Sequence, residues 1–140
     1  MTTMVIDASV ILVYLLEEQK SVADKVASLL KKAEQKSIVL LSTSLFPLEV
    51  ANGLRFSMKD ASHAAEILND FSILPIEIIA LNNIQIKKAL EIAYELGTTV
   101  YDASYHVLAI ARNAIYITAD KKYFDKAKQL GNIELIGRKN

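Results

Sequence analysis

The chain has 140 residues, no cysteine, and sixteen basic against sixteen acidic residues. That length suits one domain, which buries roughly 68–70% of its unfolded surface without staples, and the missing thiol excludes disulfides, thiolate catalysis, zinc knuckles and iron–sulfur clusters. A formal net charge of zero gives no general basic field for a polyanion, so any phosphate recognition has to come from local Lys or Arg or from metal.

Residues 3–6 form a short apolar run fit for a buried strand, followed by an apolar segment over 8–16. The spacing of Val22, Val26, Leu29 and Leu30 predicts a helix over 21–36, with Ser21 and Asp24 as its capping box. A strand is expected over 38–41, then a helix over 44–57 that tolerates Pro47 in its first turn, and a helix over 61–71. Residues 73–79 read as extended, 83–96 as a helix stopped by Gly97, and 102–113 as a strongly apolar, buried helix. The last strands are expected over 115–118 and 133–136, with a helix over 121–130 between them, ended by Gly131. Strands and helices alternate, which predicts an α/β fold, a small parallel sheet flanked by helices on both faces. No repeat or linker interrupts the chain, so residues 1–140 read as a single domain.

The apolar run from Val10 to Leu16 is too short to span a bilayer and lacks a basic flank, so the chain is read as cytoplasmic, without a membrane partner. A hydrophobic content of 52% is high enough that some apolar surface is expected against a partner or a second copy. With His63 and His106 as the two histidines, a His-rich zinc site is disfavoured, whereas Asp and Glu oxygens suit Mg²⁺ or Mn²⁺.

Ligands of open parallel sheets gather beyond the carboxyl ends of the strands. Asp7 directly follows the first strand and Asp120 follows the strand over 115–118, and either is equally explained as a helix N-cap. Glu49 lies within an apolar helical segment, where a carboxylate is costly unless it is paired, metal-bound or on a solvated edge; Asn52 and Gly53 share its face. Asp102 opens the buried helix, and Thr99 three residues earlier offers a capping explanation. Taken together, the four acids would repel one another unless cations neutralise them, which points to divalent metal. His106 falls four residues after Asp102, on the same helix face, and is read first as a hydrogen-bonded core histidine. Arg55, Lys121 and Lys122 are candidates for phosphate contacts.

The order Val5-Ile6-Asp7-Ala8-Ser9, Leu48-Glu49-Val50-Ala51-Asn52, Tyr101-Asp102-Ala103, and Ile117-Thr118-Ala119-Asp120 followed by Tyr123-Phe124 resembles the PIN-domain family, and more narrowly its VapC-type toxin ribonucleases. The resemblance covers nearly the whole chain and implies a PIN-like α/β/α sandwich. It also implies that Asp7, Glu49, Asp102 and Asp120 are the catalytic and metal-holding quartet for one or two Mg²⁺ or Mn²⁺ ions, with Ser9, Asn52 and Thr118 in support. A metal-dependent endoribonuclease acting on RNA follows, paired with a small antitoxin and forming a homodimer. Two alternatives remain within that resemblance, a PIN nuclease of RNA processing and a PIN-like module that binds RNA or protein without cutting. Phosphatases of the Asp-x-Asp type are disfavoured because Asp7-Ala8-Ser9 lacks the second aspartate.

Overall fold

The structure is a computed structural model and describes residues 1–137. Five parallel strands run in the order β3-β2-β1-β4-β5: β1 Thr2–Ile6, β2 Ile38–Thr43, β3 Glu77–Ile79, β4 Ile115–Thr118 and β5 Ile133–Leu135. Helices cover both faces of this sheet, as expected for an α/β/α sandwich. Central β1 pairs on both sides, Val5 opposite Leu41 of β2 and opposite Tyr116 of β4, and a strand so enclosed has to be apolar. Val5 and Ile6 are accordingly buried. The chain leaves β1 to build β2 and β3 on one side and crosses back to build β4 and β5 on the other. That reversal opens a crevice at the carboxyl ends of β1 and β4.

The helices are α1 Ala8–Leu15, α2 Lys20–Glu34, α3 Phe46–Ser57, α4 Ala61–Ser72, α5 Asn83–Leu96, α6 Val100–Ala111 and α7 Lys121–Ala127, the last continued by one 3-10 turn, Lys128–Leu130. Helix α6 packs on β1, β2 and β4, which explains its apolar sequence and the burial of every residue from Ala103 to Ala109. Phe46 of α3 meets Phe71 of α4 edge to face, with ring centroids 5.3 Å apart. Helices α1 and α3 approach closely at Gly53, where a Cβ would lie 2.2 Å from Leu12 Cδ1. The glycine therefore serves this contact, costing helix propensity for proximity. No helix of the described residues is long and apolar enough to cross a membrane.

Most expected elements form, with differences at their ends. The capping box expected at Ser21 does not. Helix α2 begins earlier, capped by Gln19 in a left-handed conformation without a side-chain bond, and Asp24 instead faces Lys20 at 3.5 Å. Positive φ at Glu17 and Gln19 folds the intervening residues into a tight reversal, so the helix start is set by backbone geometry. The extended run expected over 73–79 shrinks to Glu77–Ile79, because Ile76 N–H bonds the Leu74 carbonyl at 2.8 Å across Pro75 and turns the chain. Helix α3 starts at Phe46, later than expected, and α6 starts two residues early, with Thr99 as its cap.

Candidate active site

Asp7 leaves the end of β1 into the crevice and is buried there. Its Oδ1 accepts from the Ser9 hydroxyl at 2.5 Å and from Val10 N–H at 3.2 Å. Its Oδ2 accepts from the Thr118 hydroxyl at 2.7 Å and from the Tyr116 hydroxyl. Four donors occupy roughly the full capacity of a carboxylate. Burial raises the pKa of Asp7, while the hydrogen bonds from Ser9, Thr118, Tyr116 and Val10 pull it back.

From Asp7 the bonds continue across the sheet. Ser9 Oγ accepts from Ala119 N–H at 3.0 Å, and Thr118 Oγ1 accepts from Asp120 N–H at 3.1 Å. Asp120 Oδ1 caps α7 by accepting from Tyr123 N–H at 3.0 Å. Both strand-end aspartates are thus N-caps, but Asp120 keeps its second oxygen outside the capping bond, so the capping and ligand readings coexist there.

Asp102 stands in the first turn of α6, its backbone N–H held by the Thr99 hydroxyl at 3.0 Å. Its pKa is raised to about 6, first by burial, then by the negative charges of Asp120 and Glu49, with a smaller push from Asp7. This mutual repulsion is the electrostatic sign that the four acids share one edge. Glu49, on α3, is half-buried, and its Oε1 accepts from the Tyr105 hydroxyl. Asn52 is exposed one turn further along, with no hydrogen bond to Glu49 among the described residues. The salt bridges among the described residues, Lys20–Asp24 and Lys121–Asp125, involve none of the four acids.

The donor set is all oxygen, which suits Mg²⁺ or Mn²⁺; Thr43, buried at the carboxyl end of β2, places its hydroxyl beside that of Tyr105. Among the described residues, however, no three acidic or histidine side chains stand close enough to form a closed ligand cage. The acids are gathered but not clenched.

A cavity of about 350 Å³ opens beside Asp102 and Asp120, bordered by Thr98, Lys122 and Lys126. A larger one, about 490 Å³, lies far from the acids beside β2 and β3 and is mostly apolar. The smaller cavity is the one lined by acids of the candidate site. His106 is turned away from the acids: Nε2 meets the Gly131 carbonyl at 2.7 Å and Nδ1 meets the Tyr123 hydroxyl at 2.8 Å. A carbonyl only accepts, so Nε2 carries the proton and Nδ1 accepts from Tyr123. Burial lowers the pKa of His106 and keeps the ring neutral, as a core histidine.

Sequence reasoning missed Tyr105 and Tyr116. Each had a signal. Tyr105 follows Asp102 by three residues, on the same helix face, and Tyr116 precedes Thr118 by two, on the same strand face.

A parallel sheet with acids in the crevice at its switch point makes this a doubly wound α/β domain. The PIN-domain profile matches residues 4–130, and the chain belongs to that family, whose members are nucleases. Among solved structures, the chain is similar to the Pyrobaculum aerophilum protein PAE2754, at 23% identity and a TM-score of 0.67, covering 94% of this chain and 83% of that one. It is also similar to VapBC2 from Rickettsia felis bound to a fragment of promoter DNA, at 17% identity and a TM-score of 0.69, covering 96% of this chain and 99% of that one. VapBC-1 from nontypeable Haemophilus influenzae aligns at 17% identity with a TM-score of 0.61, covering 96% of each chain. At these identities the likeness concerns the fold. A search of curated proteins finds no significant match.

Proposed function

We propose that the chain is a divalent-metal-dependent endoribonuclease that hydrolyses RNA phosphodiester bonds as the toxin of a toxin–antitoxin pair. The observation that carries this reading is the acidic edge. Asp102 is held up to about 6 by burial and by the charges of Asp120, Glu49 and Asp7, and among the described residues no salt bridge pairs a cationic side chain with any of them. Repulsion of this kind favours a group that brings positive charge.

Asp7, Glu49, Asp102 and Asp120 would hold the ion, Mg²⁺ or Mn²⁺. Such an ion, when bound, supplies an activated water and offsets charge on the leaving oxygen. The chain's own residues prepare that chemistry. Thr99 fixes the backbone of Asp102, and Thr118 ties Asp7 to the backbone of Asp120. At Asp7, Ser9 is the least buried side-chain donor and is the one a cation would displace. Lys122 and Lys126 border the cavity beside the acids, where a phosphate backbone would approach.

The toxin assignment draws on the likeness to the VapBC proteins of Rickettsia felis, bound there to promoter DNA, and Haemophilus influenzae. Exposed apolar side chains support partners for this chain too. Leu48, beside Glu49, and Phe56, two turns further along α3, are exposed, a surface fit for an antitoxin segment, and Ile86, Leu90 and Tyr94 form a stripe along α5 fit for a second copy.

The test is cleavage of labelled single-stranded RNA by purified protein with Mn²⁺, Mg²⁺ or EDTA, beside Asp7→Asn and Asp102→Asn. Metal-dependent cutting lost in both variants is the expected result. Cutting that survives EDTA, or variants that cut as well as wild type, would remove the basis of the reading.

A further inference from the structure

Glu49 reaches the site on a longer side chain than the three aspartates, and among the described residues its carboxylate accepts from no backbone N–H. Asp7 and Asp120 accept from backbone N–H groups, and the backbone of Asp102 is held by Thr99. Glu49 extends from within α3 on a flexible side chain, and among the described residues its carboxylate accepts one hydrogen bond, from the Tyr105 hydroxyl to Oε1. Oε2 is left for another partner.

Tyr105 is well placed to hold it. Its ring is 1% exposed on α6, one turn after Asp102, and it stacks on Tyr116 of β4 with centroids 5.9 Å apart and planes 19° from parallel. Tyr116 in turn donates its hydroxyl to Asp7 Oδ2. One stacked pair therefore reaches acids on two different elements, Glu49 of α3 and Asp7 at the end of β1. A phenol that donates to a carboxylate favours the anion and fixes its direction. In each case the phenol is locked by its own burial, so the orientation is built before any ligand arrives.

We propose that Tyr105 and Tyr116 are positioning residues, a stacked tyrosine pair that aims Glu49 and Asp7 at a divalent cation. This rests on the metal-nuclease reading. Partners that orient a ligating carboxylate without touching the metal carry roughly a 10–100-fold share of affinity. The Tyr→Phe change keeps the ring and its stacking while deleting only the hydroxyl.

The experiment is calorimetric titration of Mn²⁺ into metal-stripped wild type, Tyr105→Phe, Glu49→Gln and the double variant, with melting curves in EDTA for each. Tyr105→Phe is expected to weaken Mn²⁺ binding roughly tenfold or more, with its melting temperature in EDTA little changed. In the Glu49→Gln background the same change is expected to have no further effect, because the hydroxyl acts through that carboxylate. Wild-type affinity in Tyr105→Phe, or an equal loss in both backgrounds, overturns the proposal. If Tyr105→Phe does not fold, Tyr116→Phe carries the same test through Asp7. Wild type that takes up no Mn²⁺ defeats the nuclease reading, and the positioning role falls with it.

Discussion

Thr118 donates its hydroxyl to Asp7 at 2.7 Å and accepts from the backbone N–H of Asp120 at 3.1 Å, so one buried side chain couples the carboxylate at the end of β1 to the backbone after β4. Thr118→Val keeps the shape and removes both bonds. Because Asp7 is buried and draws part of its stabilisation as an anion from that hydroxyl, the variant is expected to lose about 1.5–3 kcal/mol of stability, the range for hydrogen bonds to charged groups. Thr118→Ser, which retains the hydroxyl, should lose less. Urea denaturation in EDTA reads the difference; equal losses in the two variants would contradict it.

The pKa of Asp102, raised to about 6 from 3.8, makes metal-free stability depend on pH with a definite sign. Between these values the folded state binds more protons than the unfolded state, so stability falls as pH rises. The contribution is full below about 4 and is lost as pH passes 6. Asp7, also raised, acts in the same direction. In EDTA, Asp102→Asn is expected to be more stable than wild type at pH 7.5, with the gap closing toward pH 4.5. Thermal melts at the two pH values check this, and a gap that does not narrow refutes it. Since a metal needs the ionised carboxylate, Mn²⁺ affinity should also drop below about pH 6.

His106 carries the opposite sign. Its pKa is lowered by burial, so the unfolded state binds its proton more readily and this stabilisation is lost as pH falls below about 6.5. Tyr123→Phe removes the hydroxyl that donates to Nδ1 and leaves that nitrogen buried without its donor. A loss of about 1–3 kcal/mol is expected at pH 7.5 from denaturant unfolding. A neutral variant would mean that the His106–Tyr123 contact does not hold α6 to α7.

Close contact between α1 and α3 rests on the absent side chain of Gly53. Gly53→Val would drive a Cβ to 2.2 Å from Leu12 Cδ1, and the overpacking should cost about 1–3 kcal/mol. Leu12→Ala makes room, so the double variant should be less destabilised than the two losses added together. Strict additivity, measured in the same unfolding experiment, would show that the two side chains do not meet.

The sheet and its order of elements were legible because buried parallel strands leave continuous apolar runs, as in Val39 to Leu41 and Ile115 to Ile117, and because helix stops such as Gly97 mark themselves. Asp7 and Asp120 were visible as acids directly after strands, a position with both capping and ligand value. The start of α2 was not legible: a capping-box pattern at Ser21 competed with a left-handed turn at Gln19, a conformation that a non-glycine residue rarely adopts and does not announce. Nor was the support of Glu49. Its partner Tyr105 lies 56 positions away in sequence, and only the packing of α6 across β2, β1 and β4 brings the two together. Asn52 satisfied the motif, yet it points to solvent, since residues that share a motif need not share a contact.

The central claim, that the four acids form one site for a divalent cation, is tested most directly by the melting temperature of metal-stripped protein as Mn²⁺ is added, beside Asp102→Asn. A ligand that binds only the folded state stabilises it by an amount that grows with concentration, about 2.7 kcal/mol at a hundred times the Kd. Wild type should therefore melt at progressively higher temperature with Mn²⁺, while Asp102→Asn, already relieved of its repulsion, should shift little. A wild type that ignores Mn²⁺, or a variant that responds equally, would show that the acids are gathered for some purpose other than holding metal.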